Sequence, residues 1–257
     1  MIIVPLVVLG RTSLPRGEGY VHLGPNRLSA LLCAIVVVAL VACGGGSTPA
    51  ATATPTPAPP DPAELLRLAG RATSDLRSFH FRLDHRGGGT PIAPNLTITE
   101  ADGDVVSPDR IAIDFAGTLG AFAVRSSLVT IGDDSYMTNP LTGLWEAVPR
   151  NVSPLGFFDP RVGIGSMLTR VEDAVLLATG EDEHRVGGVL PVDALRPLLG
   201  PQTAGTTVKV ELTIDAVTYY LIKAVIDGRA TASEPDGVVR IITLSRFNEP
   251  LIIEPPD

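Results

Sequence analysis

Phe79-His80-Phe81-Arg82-Leu83-Asp84 alternates apolar and polar residues without a break. A period of two marks a strand with one face buried and the other in water. Just before this stretch the period is helical. Asp61-Pro62 offers an N-cap followed by proline at the first helical position, and Leu65, Leu68, Ala69, Ala72 and Leu76 then recur at helical spacing. Just after it, Gly87-Gly88-Gly89 supplies a flexible turn. A helix leading into a half-buried strand sets the class of the domain.

Alternation then repeats. Leu96 and Ile98 form one such set, Ile111, Ile113 and Phe115 a second, and Phe122 and Val124 begin a third that runs through Leu128 to Ile131. Turn chemistry separates them at Asp102-Gly103-Asp104, Ser107-Pro108-Asp109, Gly117 to Gly120 and Gly132-Asp133-Asp134. Tyr136-Met137 and Leu144-Trp145 flank Asn139-Pro140-Leu141-Thr142-Gly143 as a hairpin. From Val162 to Ala178 the pattern predicts one or two helices, with Ile164, Met167, Leu168 and Val171 on one side. Asp193 to Leu199 reads as another short helix. Three strands close the chain: Val208, Val210, Leu212 and Ile214 alternating with polar residues, then Tyr219 to Asp227, then Val238 to Phe247. The spacing predicts an α+β domain built on a long antiparallel meander.

Composition agrees with strands and turns. Charged residues are sparse at 19%, while Gly and Pro number 26 and 23. The 28 Asp and Glu against 20 Lys and Arg argue against a nucleic-acid partner and against a basic membrane-binding face.

The N-terminal part has a different role. Arg27 precedes an apolar run from Leu28 to Ala42, which is shorter than the roughly 20 residues needed to cross a bilayer core. The run ends in Leu40-Val41-Ala42-Cys43, which matches the bacterial lipobox at every position. Cleavage is expected between Ala42 and Cys43, with a diacylglyceryl thioether on the Cys43 thiol. From Gly44 to Pro62 the chain reads GGGSTPAATATPTPAPPDP, which lacks the apolar mass to offset its ordering entropy. The organisation expected is therefore a signal peptide over 1–42, a disordered tether over 43–62 and a single domain over 63–257. Residues 1–26 fit a signal poorly, so the start is expected nearer Val21. The processed chain keeps one cysteine, Cys43, so the domain stands on its core without a disulfide.

Local signatures of catalysis are missing. The sequence holds no P-loop, Rossmann fingerprint, HExxH or nucleophile elbow; Gly163-Ile164-Gly165-Ser166 lacks an elbow's closing glycine. Glu181-Asp182-Glu183-His184 reads as a solvated turn rather than a metal site, and His80 and His85 fall on opposite faces of their strand. Neither an enzyme nor a cofactor or metal is expected.

Taken in order from Cys43 almost to the C-terminus, these features resemble the LppX/LprG-type bacterial envelope lipoproteins. The resemblance rests on the lipobox and tether, on the helix entering Leu76-Arg77-Ser78-Phe79-His80-Phe81, and on Gly103-Asp104-Val105-Val106-Ser107-Pro108-Asp109. It continues through Tyr136 to Trp145, Phe157-Phe158-Asp159-Pro160 and Phe247-Asn248-Glu249-Pro250-Leu251-Ile252-Ile253. Ile214-Asp215-Ala216-Val217-Thr218 departs from the tidier turn of the family. The resemblance implies a strongly curved antiparallel half-barrel with helices over its concave face, and an apolar cavity between them for the acyl chains of a lipid or glycolipid. Partners would be that lipid, the membrane through acylated Cys43, and an envelope transporter; the domain would be a monomer.

The residues alone leave two functions open: a tethered lipid carrier, or a binding or sensory module with a filled core. For the carrier, the wall candidates on the first helix are Leu65, Leu68, Ala69 and Leu76. On the early strands they are Phe79, Phe81, Ile113, Phe115 and Phe122. Later candidates are Phe158, Met167 and Leu168, then Val210 and Leu212. The anchor itself has a direct test. Cys43→Ser should leave the precursor unprocessed or free of the membrane and unlabelled by fatty acid, and identical fractionation and labelling of both forms would contradict the lipobox reading.

Overall fold

The computed structural model describes residues 58–93, 95–199 and 206–256. The chain enters through helix α1, Pro62–Ser74, whose N-cap Asp61 accepts a hydrogen bond from the Ala63 amide at 3.2 Å. Its buried stripe is Leu65, Leu66, Ala69, Gly70 and Thr73, while Leu68 and Ala72 are only half-buried. The expected stripe is thus rotated, and Gly70 is the reason. A Cβ there would lie 2.9 Å from Thr169 Cγ2 and 3.2 Å from the Gly165 carbonyl oxygen. Two glycines let α1 approach the short helix Ile164–Leu168 closely, and that contact decides which side of α1 faces inward.

Strands β1 (Ser78–Arg86), β2 (Thr90–Ala93), β3 (Leu96–Val106) and β4 (Arg110–Leu119) follow. They continue into β5 (Phe122–Ile131), β6 (Asp134–Thr138) and β7 (Trp145–Ala147). A short crossover carries a 3₁₀ turn, Arg150–Val152, and helices α2 (Leu155–Phe158) and α3 (Ile164–Leu168). Strands β8 (Glu172–Thr179) and β9 (Glu183–Pro191) come next, then a second 3₁₀ turn at Val192–Leu195 and helix α4 (Arg196–Leu199). The chain closes with β10 (Thr207–Asp215), β11 (Leu221–Asp227) and β12 (Val239–Ser245).

All of these strands join one antiparallel sheet of 12, in the order β7-β6-β5-β4-β3-β1-β12-β11-β10-β9-β8, with β2 paired to β3. The sheet is open, with β7 and β8 at its ends. The chain starts in the middle, walks out to β7, crosses over, and returns from β8 until β12 pairs with β1, placing Phe81 opposite Leu244 and Leu83 opposite Ile242. The α+β class and the large antiparallel sheet are as expected.

Two details are corrected. Residues 172–178, expected to be helical, form most of edge strand β8, whose apolar Val175 and Leu177 stand about half exposed. Its partner β9 contains Gly187-Gly188. Gly188 admits a close neighbour: a Cβ there would come within 2.5 Å of Val171 Cγ1. Asp102-Gly103-Asp104 is not a turn; it lies inside β3. Gly103 leaves room for the Phe81 ring, which would sit 2.9 Å from a Cβ there. Its two aspartates face the other way and hold His80, at 2.8 Å from Asp104 and 3.2 Å from Asp102.

The buried face is unevenly filled. On the β9–β12 side it carries Val186, Leu190, Val210, Leu212, Ile226 and Ile242, all branched and closely packed. On the β3–β5 side Ala101, Gly103, Ser126 and Thr130 leave it shallower.

Candidate functional site

Over that shallow part lies a cavity of about 320 Å³. The sheet contributes Phe81 and Leu83 from β1, Ala101 from β3, Ile113 and Phe115 from β4, and Leu128 from β5. The opposite wall comes from Val152 and Pro154, from Phe158 of α2, and from Pro197, Leu198 and Leu199 of α4. Strand β2 adds Thr90, Pro91 and Ile92. No Asp, Glu, Lys or His lines it, and Arg196 is its one charged residue.

An aromatic stack holds the two walls apart. Phe81 lies on Phe158 with ring centroids 3.8 Å apart and planes 20° from parallel. Phe157 meets Phe158 edge-on at 5.1 Å. Such pairs add about 0.5–1.5 kcal/mol each beyond the area they bury. Both phenylalanines are buried, so the stack is part of the fold and not an adaptable lip.

One end of the cavity is polar, and its groups are already committed. Thr90 is 1% exposed, and His85 and Arg240 both reach it. The Thr99 carbonyl can only accept, so His85 Nδ1 donates to it at 2.8 Å and Nε2 of the neutral ring is an acceptor. The Thr90 hydroxyl therefore donates to Nε2 at 2.7 Å and accepts from Arg240 Nε at 3.2 Å. Arg240 is fully buried and pairs with buried Glu234, whose second oxygen takes the amides of Ala230 and Thr231. Breaking such a pair by removing one member costs about 3–5 kcal/mol, so this end is rigid. No local motif announced it, because its members come from four separate segments.

The wall candidates fall into four groups. Phe81, Ile113, Phe115 and Phe158 line the cavity. Leu65, Ala69, Leu76 and Phe79 are buried away from it, as are Met167, Leu168, Val210 and Leu212; these belong to the filled core. Leu68 is half-buried on α1. Phe122 is corrected outright: it shares the parity of the buried face, but at the tip of the β4–β5 hairpin it stands 75% exposed. Sequence reasoning missed Leu83, Ala101, Leu128, Leu198 and Leu199. Only the alternation of β1 and β5 could have suggested two of them.

Cys43 lies outside the described residues, as do the proposed signal and most of the tether; Pro62, the last residue assigned to the tether, begins α1. Among the described residues no helix is long and apolar enough to cross a membrane, and no three His, Cys, Asp or Glu side chains gather to hold a metal.

An open antiparallel sheet with an apolar cavity beneath short helices defines a class of small-molecule binding scaffold. The chain belongs to the LppX_LprAFG lipoprotein family, whose model matches residues 61–253. Among solved structures, LprF from Mycobacterium bovis is similar at 20% identity, covering 77% of this chain and 98% of its own, with a TM-score of 0.60. The lipoprotein LppX from Mycobacterium tuberculosis is similar at 19% identity, covering 75% and 97%, with a TM-score of 0.52. No curated protein matches the sequence.

The polar end gives the fold a pH dependence. Burial pushes the His85 pKa below the ordinary 6.5 against the opposing hydrogen bond to the Thr99 carbonyl, and Arg240 adds to the effect against Glu234 and Asp84. The unfolded chain therefore takes up this proton first. His85 contributes its full stability above about pH 6.5 and loses it as pH falls through its lower folded value. In denaturant titrations from pH 7.5 to 5, His85→Asn should flatten the acid-side loss relative to wild type. Equal slopes would remove His85 as its source.

Proposed function

We propose that this is an exported lipoprotein, held at the outer face of the cell membrane by acylated Cys43, whose 63–257 domain binds an acyl chain of a lipid or glycolipid and carries it within the envelope. The observation that carries the reading is the cavity: about 320 Å³, apolar on both walls and without a carboxylate. An apolar guest leaves no polar group unpaired on entering it. Each buried CH₂ contributes about 0.8 kcal/mol. The volume is near the lower end of the usual range for ligand pockets, roughly 300–1,000 Å³, so it suits one acyl chain or part of one rather than several.

Membership of a lipoprotein family supports the anchor and the envelope location. The tether then keeps a monomeric domain within reach of the membrane, where an envelope transporter could load or unload it. Binding needs no acid, base or metal. The chemistry is transfer of a guest between apolar surroundings.

The test compares two substitutions on the buried face of the same sheet. Ala101 faces the cavity, so Ala101→Leu in the full chain should reduce uptake of a fluorescent fatty acyl probe while leaving the unfolding midpoint near wild type. Val210 faces filled core, so Val210→Trp should cost roughly 1–3 kcal/mol of stability by overpacking. If delipidated wild-type protein takes up no probe, the carrier reading fails and a binding module takes its place.

A further inference from the structure

The cavity has polar groups at two ends, and they differ in what they leave free. At the inner end the Thr90 hydroxyl is used twice, by His85 and Arg240, and offers a guest nothing. At the mouth stand Arg196, Asn151 and Ser153, from α4 and from the crossover before α2. Among the described residues the side chains of Arg196 and Asn151 make no hydrogen bond or ion pair. Ser153 Oγ accepts from the Leu155 amide at 3.3 Å, which leaves its proton unspent.

The electrostatics point the same way. The chain carries a net charge of −8, yet no carboxylate lines this cavity. The carboxyl of Asp193 is held below the usual range mainly by the hydrogen bond from Arg170, with the Arg196 charge a lesser cause. Arg170 reaches Asp193 at 2.6 Å, so that carboxylate already has its own cation. Arg196 remains exposed and without a bonded counter-ion, beside two further donors, at the edge of an otherwise apolar lining. A guanidinium presents forked N–H donors that match carboxylate or phosphate oxygens.

We propose that the guest is an anionic amphiphile, bound tail inward, with a carboxylate or phosphate head on Arg196 and supported by Asn151 and Ser153. This deepens the lipid-carrier reading and rests on it. The orientation follows from the two ends: a head placed at Thr90 would find every donor and acceptor occupied, while a head at the mouth meets unspent donors and stays hydrated. The contact is solvent-exposed, so it selects among heads, and the buried tail supplies most of the affinity.

Three pyrene-labelled probes of equal chain length test this on the delipidated full chain: a fatty acid, the matching alcohol and the matching alkyl phosphate. Wild type should bind at least one anion about tenfold more tightly than the alcohol, and the preference should shrink as salt is raised. Whichever anion gains more identifies the head as carboxylate or phosphate. Arg196→Gln should remove most of this preference and Arg196→Lys should keep part of it. Equal binding of all three probes to wild type would overturn the inference and leave the carrier reading standing, as would an Arg196→Gln loss of the same size for all three. If none of the probes enters wild type, the carrier reading fails together with this one.

Discussion

The contact on which the described structure most depends is the stack of Phe81 on Phe158 across from Gly103. An open sheet buries one face only if something lies on it, and the short helices here are too small to hold themselves in place. Phe158 anchors α2 to β1 through a ring-to-ring contact of 3.8 Å. Gly103 makes the contact feasible, because any side chain at that position would meet the Phe81 ring. The same stack props helix and sheet apart, so the space beside it, over Ala101, stays unfilled. Fold and cavity thus share one cause.

The path of the chain adds a second constraint. Because β1 lies in the middle of the sheet and β12 closes on it, the first and last strands need each other. Asn248 reinforces the closure: its side chain accepts from the Arg77 amide at 2.9 Å, and its own amide bonds the Ser78 carbonyl at 2.8 Å. The polar end of the cavity crosses the same seam, since His85 on β1 and Arg240 on β12 are register partners. Long-range pairing of this kind makes the sheet a single cooperative unit, able to carry a partly empty interior.

Much of this was legible where side chains alternate. Phe79 to Asp84, Ile111 to Phe115 and Val208 to Ile214 read directly as half-buried strands, and Asp61-Pro62 as a helix start. The failures share a physical cause. Glycine inside a regular element signals a close neighbour as well as a break, so Gly103 reads as a turn residue from sequence alone, and Gly70 shifts the inner face of α1. Edge strand β8, exposed on most of its length, lacks the alternation that burial imposes. The site was less legible than the fold. A cavity is made by small residues such as Ala101, whereas reasoning from hydrophobicity selects large ones, and most of those, Val210 and Leu212 among them, fill the core.

A small residue on β3, an aromatic spacer and a lining without carboxylates together leave room that an acyl chain can occupy at little polar cost. That is the central claim, and what the protein brings with it from its own membrane tests it most directly. Protein purified from its native host without added detergent, then extracted with organic solvent and analysed by mass spectrometry, should release acyl lipid in near-stoichiometric amount. Folded protein that yields no acyl lipid, and whose cavity stays closed to added lipid, would contradict the account.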